Sequence, residues 1–227
     1  MRTALIVIFA FAATLGAQTV MTARRTITAT GSATVSATPD KANVDLGVVT
    51  QAVAAQDAAT QNATIVSSVL SGIRGVLGPN ATITTISYSL NPVYNNPAPG
   101  QNAVIIGYMA TNIVDSTVTD LSLIGKVIDA GIAAGANRVQ GITFGLQNSD
   151  PIQSQALKNA AAAALSQVKS IAAGLGVNVG NVLQATEGGS SSPPLVFTGG
   201  AAGGASTPIE PGALQVSASV TIVVDIT

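Results

Sequence analysis

From residue 26 to residue 37 the chain alternates without a break. Ile27, Ala29, Gly31, Ala33, Val35 and Ala37 fall on one side, and Thr26, Thr28, Thr30, Ser32, Thr34 and Ser36 fall on the other. A period of two belongs to a β-strand and separates an apolar face from a hydroxyl face. Slipping the register by one residue would exchange the two faces, so the pattern strongly constrains how this strand is placed. The far end of the chain repeats the pattern. Leu214, Val216, Ala218, Val220, Ile222, Val224 and Ile226 oppose Gln215, Ser217, Ser219, Thr221 and Asp225.

Between these strands the period switches back and forth. Pro39-Asp40 ends the first strand, and Val44, Leu46 and Val48 mark one side of a second. The short link predicts an antiparallel hairpin of the two. Ile65, Val66, Val69, Leu70, Ile73, Val76 and Leu77 then fall at helical spacing, which predicts an amphipathic helix over 57–77. Gly78-Pro79-Asn80 stops it. Residues 82–90 are expected to form a strand, 91–102 a loop and 104–118 a long strand. Asp120 is a suitable N-cap for a second helix, with Ile124, Val127, Ile128 and Ile132 as its buried stripe and Gly135 at its end. A strand over 139–146 follows. Asp150-Pro151 starts a third helix, whose Ala156, Ala160, Ala161 and Ala164 make it thin enough to lie close to a sheet, with Gly174 as its C-terminal cap. A strand over 177–187, an irregular Gly/Ser/Pro/Ala-rich stretch over 188–207 and the final strand complete the order. Three helices among about seven strands with short connections predict an α+β fold, its helices packed on a largely antiparallel sheet.

The first 23 residues have a separate explanation. Arg2 precedes an uncharged apolar run from Ala4 to Leu15, followed by small residues at Gly16 and Ala17. That is the layout of a signal peptide, cleaved after residue 17 or alternatively after residue 23. The run is shorter than the ~20 residues a membrane-spanning helix needs. Residues 24–227 are then expected to form one domain, with no stable membrane span after cleavage. The destination is the periplasm, the cell envelope or the exterior.

Charged residues make up only 8% of the chain and the formal net charge is −1. A surface so poor in charge has little self-repulsion to keep it monomeric, which points to a homo-oligomer. With no basic cluster, nucleic-acid binding lacks its electrostatic footprint. The chain has no Cys, so its stability does not come from disulfides.

Five stretches together are distinctive. They are TGSATVSATPD at 30–40 with ANVDLGVVTQ at 42–51, SYSLNPVY at 87–94, GYMATNIVDSTVTD at 107–120, GANRVQGITFGL at 135–146 and PIEPGALQVSASVTIVV at 208–224. In this order they resemble the SIMPL-domain family (DUF541) of exported bacterial proteins. Met109 departs from the pattern, where a charged or polar residue is expected after Gly107-Tyr108. The resemblance implies an α+β fold, a periplasmic or envelope location, ring-like homo-oligomers and a link to envelope and oxidative stress. It implies no established enzyme activity.

The chain also lacks His and Trp. Absence of His and Cys removes the usual general base and the usual transition-metal ligands. No metal site, no cofactor and no catalytic residue is therefore assigned. Asp40, Asp120 and Asp150 have turn or capping roles, and Asp45, Asp115 and Asp225 fall on polar strand faces. Ser122 and Lys126 form an ordinary helix-surface pair. The expected activity is that of a non-enzymatic, self-assembling envelope protein with a structural or stress-protective role. Ile27, Val35, Val216 and Val220 mark the expected assembly strands, both taken as edge or end strands. The alternative is a binding module for a small ligand, a glycan or a partner protein. It would act through the 91–102 and 188–207 loops, with Tyr94, Leu195 and Phe197 as contact points.

Overall fold

The computed structural model describes residues 24–96, 99–191, 195–197, 209 and 211–227. The signal segment expected over 1–23 lies outside them. The elements run β1 (Thr26–Ala37), β2 (Lys41–Ala52), α1 (Ala55–Leu77), β3 (Ile83–Tyr94) and β4 (Ile105–Val118). A 3₁₀ turn (Leu121–Leu123) leads into α2 (Ile124–Ala133). Then come β5 (Arg138–Gly145), α3 (Asp150–Leu175), β6 (Val179–Ser191), β7 (Leu195–Phe197) and β8 (Leu214–Ile226). The fold is α+β, and every strand pairing is antiparallel.

The described residues form two sheets where one was expected. One has the order β1-β8-β6 and the other β3-β4-β2-β5-β7. The hairpin expected between the first two strands does not form. β1 pairs with β8 over its whole length, from Thr26 opposite Asp225 to Ala37 opposite Leu214, while β2 runs between β4 and β5. The corner between β1 and β2 explains the change. Pro39 has no amide hydrogen to offer a ladder. Asp40 is bound to the five-stranded sheet instead: its amide donates to the Gly145 carbonyl at 3.2 Å, and its carboxylate accepts from the Gln147 amide at 2.6 Å. The chain therefore leaves one sheet and enters the other at this corner.

The two alternating segments at the ends of the chain pair with each other. On the outer face their hydroxyls join across the strands, Thr30 to Thr221 at 2.8 Å and Thr34 to Ser217 at 2.9 Å. On the inner face Ile27, Ala29, Val216, Ala218, Ile222 and Val224 are buried with a stripe of α3: Ala156, Ala160, Ala164, Val168 and Ala172. The i, i+4 spacing of these small residues lets the helix backbone approach β1 closely. A second core lies under α1 and α2. Val44, Leu46 and Val48 of β2, Val114 and Val118 of β4, and Ile142 and Phe144 of β5 pack there against Val69, Ile73, Ile124 and Val127.

Three helix details differ from expectation. The fourth position of the α2 stripe is Gly131, and Ile132 is exposed. Leu46 fills the space over Gly131, so a side chain there would collide with it. Asp150 does not cap α3 with its side chain: the N-cap is Ser149, without a side-chain bond, and the Asn148 side chain accepts from the Asp150 amide at 3.0 Å. The same helix ends on Gly176, two residues beyond Gly174, with φ +69°. The left-handed conformation is the reason, since it closes the last turn and favours glycine. Gly176→Ala is expected to lower stability by about 1 kcal/mol, read as a lower urea midpoint with an unchanged slope. Nothing lies within 4 Å of the added methyl, so the loss comes from the backbone alone.

Candidate functional site

The residues singled out from sequence are scattered. Tyr94 is the last residue of β3, opposite Ile105, and is exposed. The segment expected to be a loop from residue 91 therefore begins as strand, because Pro92 is tolerated on an edge strand. Likewise, β6 continues to Ser191, and Leu195 and Phe197 belong to β7, opposite Phe144 and Ile142 of β5. The rest of the 188–207 stretch, 192–194 and 198–207, lies outside the described residues.

Ile27, Val216 and Val220 are buried against α3, and Val35 packs against the same cluster. β8 is not an edge strand: it is the centre of its sheet, with both hydrogen-bonding sides occupied by β1 and β6. Its alternation reflects a buried inner face, which a central strand shares with an edge. Among the described residues, the long open edges belong to β1, β6 and β3.

Of these, β3 is the most unusual. Its 12 residues, ITTISYSLNPVY, contain no charged side chain, as is also true of β1, but unlike β1 it exposes large apolar side chains. Ile86, Tyr88 and Leu90 are exposed along it, and Val104, Ile105 and Ile106 are exposed where β4 begins. β2 ends at Ala52, opposite Tyr108, so the end of the β3–β4 hairpin projects past the rest of its sheet. Natural edge strands are commonly blunted by charges, by proline or by bulges. Here Pro92 and two register shifts are present, at Thr85/Ser87 and Val93/Tyr94, but no charge is.

The opposite face of the same sheet carries a carboxylate pair. Asp45 of β2 is directly opposite Asp115 of β4, and Gly141 of β5 is the other neighbour of Asp45. Asn43 donates to Asp115 Oδ1 at 3.3 Å. Asp115 is buried, and its pKa is raised to about 6. Burial is the main cause, followed by the hydrogen bond to Asp45 and that residue's negative charge; the Asn43 bond acts the other way. Sequence placed each acid on a polar strand face but did not bring the two together, because their meeting depends on the β2–β4 register. The available signal was an acid within an apolar strand at both positions. Asp115 can take up or release a proton near pH 6. Asp120 differs: the Ser122 hydroxyl and amide bind its carboxylate and hold its pKa below the ordinary value. Among the described residues, no three metal-ligating side chains converge.

A third feature is a groove between α1 and the β3–β4 hairpin, lined in part by Asn62, Tyr88 and Asn112. Asn62 is wholly buried and ties the helix to the sheet, its amide donating to the carbonyls of Val48 at 2.9 Å and Ala110 at 3.3 Å.

The family model for SIMPL, described as a protein of unknown function (DUF541), matches residues 27–224. The chain belongs to the SIMPL family. The match runs from β1 to β8 and so takes in both sheets. The 26 kDa periplasmic immunogenic proteins of Brucella melitensis and Brucella abortus are each 30% identical to it over 174 residues, covering 74% of this chain and 68% of the relative. The uncharacterized protein YggE of Edwardsiella ictaluri is 26% identical over 157 residues, covering 69% of this chain and 65% of the relative. No helix among the described residues is long and apolar enough to cross a membrane.

Proposed function

We propose that this SIMPL protein is an exported, periplasmic component of the cell envelope that assembles with copies of itself and has a structural or protective role without catalysis. The observation that carries the reading is the β3 edge, a 12-residue strand with no charge that ends in an exposed apolar hairpin. Such an edge offers unpaired backbone groups to another strand, and its apolar end gains by leaving water. The chain's charged fraction of 8% supplies little repulsion against it. A periplasmic location is supported by the names of the Brucella relatives.

We take the assembly surface to be the β3–β4 hairpin in place of the β1 and β8 strands expected from sequence, because α3 covers the apolar face of both and β8 has both of its edges occupied. Light scattering behind size exclusion is expected to give one defined multiple of the subunit mass. Ile105→Lys together with Ile106→Lys should reduce that mass to the monomer while leaving the circular dichroism unchanged. A monomer at micromolar concentration before any substitution would remove the proposal.

A further inference from the structure

We infer that the groove between α1 and the β3–β4 hairpin binds a neutral, polyhydroxylated ligand of the pyranose class, with Asn62 as an acceptor, Asn112 as a donor or acceptor and Tyr88 as the stacking surface. The inference does not depend on assembly. The groove has a volume of about 350 Å³, at the lower end of the range of roughly 300–1,000 Å³ typical of small-ligand pockets. One wall is the first half of α1, with Gln56, Thr60 and Asn62. The other is the helix-side face of the hairpin, where Tyr88 of β3 stands opposite Asn112 of β4.

Two buried side-chain oxygens in this groove, Asn62 Oδ1 and Asn112 Oδ1, have no hydrogen-bond partner among the described residues. For Asn62 the orientation of the amide is determined by its surroundings. Its nitrogen faces two carbonyls, those of Val48 and Ala110, and a flipped amide would set oxygen against oxygen. Its two N–H groups are thus committed to the fold, while both lone pairs of its oxygen are unused. Buried acceptors in native proteins are nearly always satisfied, so the Asn62 oxygen calls for a donor from outside. Asn112 has no hydrogen bond that fixes its amide, and it can turn either its oxygen or its N–H groups to a ligand.

The lining restricts what those donors can be. Among the described residues no charged side chain borders the groove, which gives an ion nothing there to pair with. Hydroxyl groups supply O–H donors without charge. Tyr88 is 54% exposed, and its ring offers an apolar face of the kind that packs against the C–H face of a sugar ring. The Gln56 amide and the Thr60 hydroxyl, bonded to each other at 3.3 Å on the rim, offer both donors and acceptors to the remaining hydroxyls. In the rotamers shown, neither asparagine oxygen meets solvent. Binding therefore requires a rim side chain to swing aside, and Gln56, Thr60 and Tyr88 are exposed there.

The experiment is a titration of the purified protein with neutral disaccharides (maltose, cellobiose and chitobiose), followed by calorimetry and by saturation-transfer NMR. At least one is expected to bind with a 1:1 stoichiometry per subunit. Tyr88→Ala and Asn112→Ala are each expected to weaken binding roughly tenfold or more. Leu175→Ala, at an exposed position at the end of α3 that does not line the groove, should leave it unchanged. Tyr88 is a surface residue, so Tyr88→Ala keeps the test valid even if Asn112→Ala fails to fold. The inference is overturned if no sugar binds at tens of millimolar, if Tyr88→Ala binds as well as the parent, or if N-methylacetamide occupies the groove while the sugars do not. The last result would show that the Asn62 oxygen waits for an amide donor and not for a hydroxyl.

Discussion

Gly31→Ala is expected to cost about 3 kcal/mol or more, read as loss of the cooperative urea transition followed by circular dichroism. Gly31 is on the inner face of β1, directly beneath α3. A methyl group there would overlap the Ala160 carbonyl oxygen and the Ala164 amide nitrogen, and would come within 2.9 Å of the Ala163 carbonyl carbon. All three are main-chain atoms of one helical turn, so no side chain can rotate away. Relief requires α3 to lift from the sheet, and that opens the contacts of Ala156, Ala160, Ala164 and Val168 with β1 and β8 together. Gly176 provides the comparison. There the added methyl meets nothing, and the expected loss is about one third as large. If Gly31→Ala lost no more than Gly176→Ala, the close approach of α3 to β1 would not be a constraint on the fold.

The same contact explains why this part of the fold was legible in sequence. Small residues at 156, 160 and 164 announce a helix that lies close to something, and a glycine within an otherwise regular strand announces what it approaches. β1 and β8 were readable for a related reason: each buries one face and exposes hydroxyls on the other, so period two is preserved along the whole strand. What alternation does not record is the neighbour on either side. It therefore could not show that β1 pairs with β8, that β2 belongs to another sheet, or that β8 is central. Strand ends were misread where the usual stop signals were absorbed. Pro92 lies within the edge strand β3. Gly188 and Gly189 lie within β6, beside a register shift between Glu187 and Ser190, with Gly189 at φ +91°. In α2 the helical period called for an apolar residue at 131, and a glycine there shifted the apparent stripe to Ile132. The groove at Asn62 was hidden for a different reason. An asparagine in a helix is unremarkable until both of its N–H groups are seen bound to two different strands.

Asp115→Asn is expected to stabilise the protein at pH 7 and to have almost no effect at pH 4. Asp115 is buried opposite Asp45, and its pKa is raised to about 6 in the folded chain from an ordinary value of 3.8. Between those two values the folded state holds a proton that the unfolded state has released. Stability must then fall as pH rises from about 4 to about 6, and it levels off above that range. The full shift corresponds to roughly 3 kcal/mol, and partial screening by solvent reduces it to on the order of 2 kcal/mol. Asparagine keeps the shape of the protonated acid. Its oxygen can still accept from Asn43, and its N–H can donate to Asp45 as the acid proton does, but it cannot ionise. The difference in urea stability between variant and parent should thus grow from near zero at pH 4 to about 2 kcal/mol at pH 7. A difference that stayed constant with pH would mean that Asp115 keeps an ordinary pKa despite its burial. A destabilised variant at pH 7 would mean that the ionised pair has a favourable partner on that face of the sheet. Either result would redirect attention from the shared proton to whatever meets the outer face between β2 and β4.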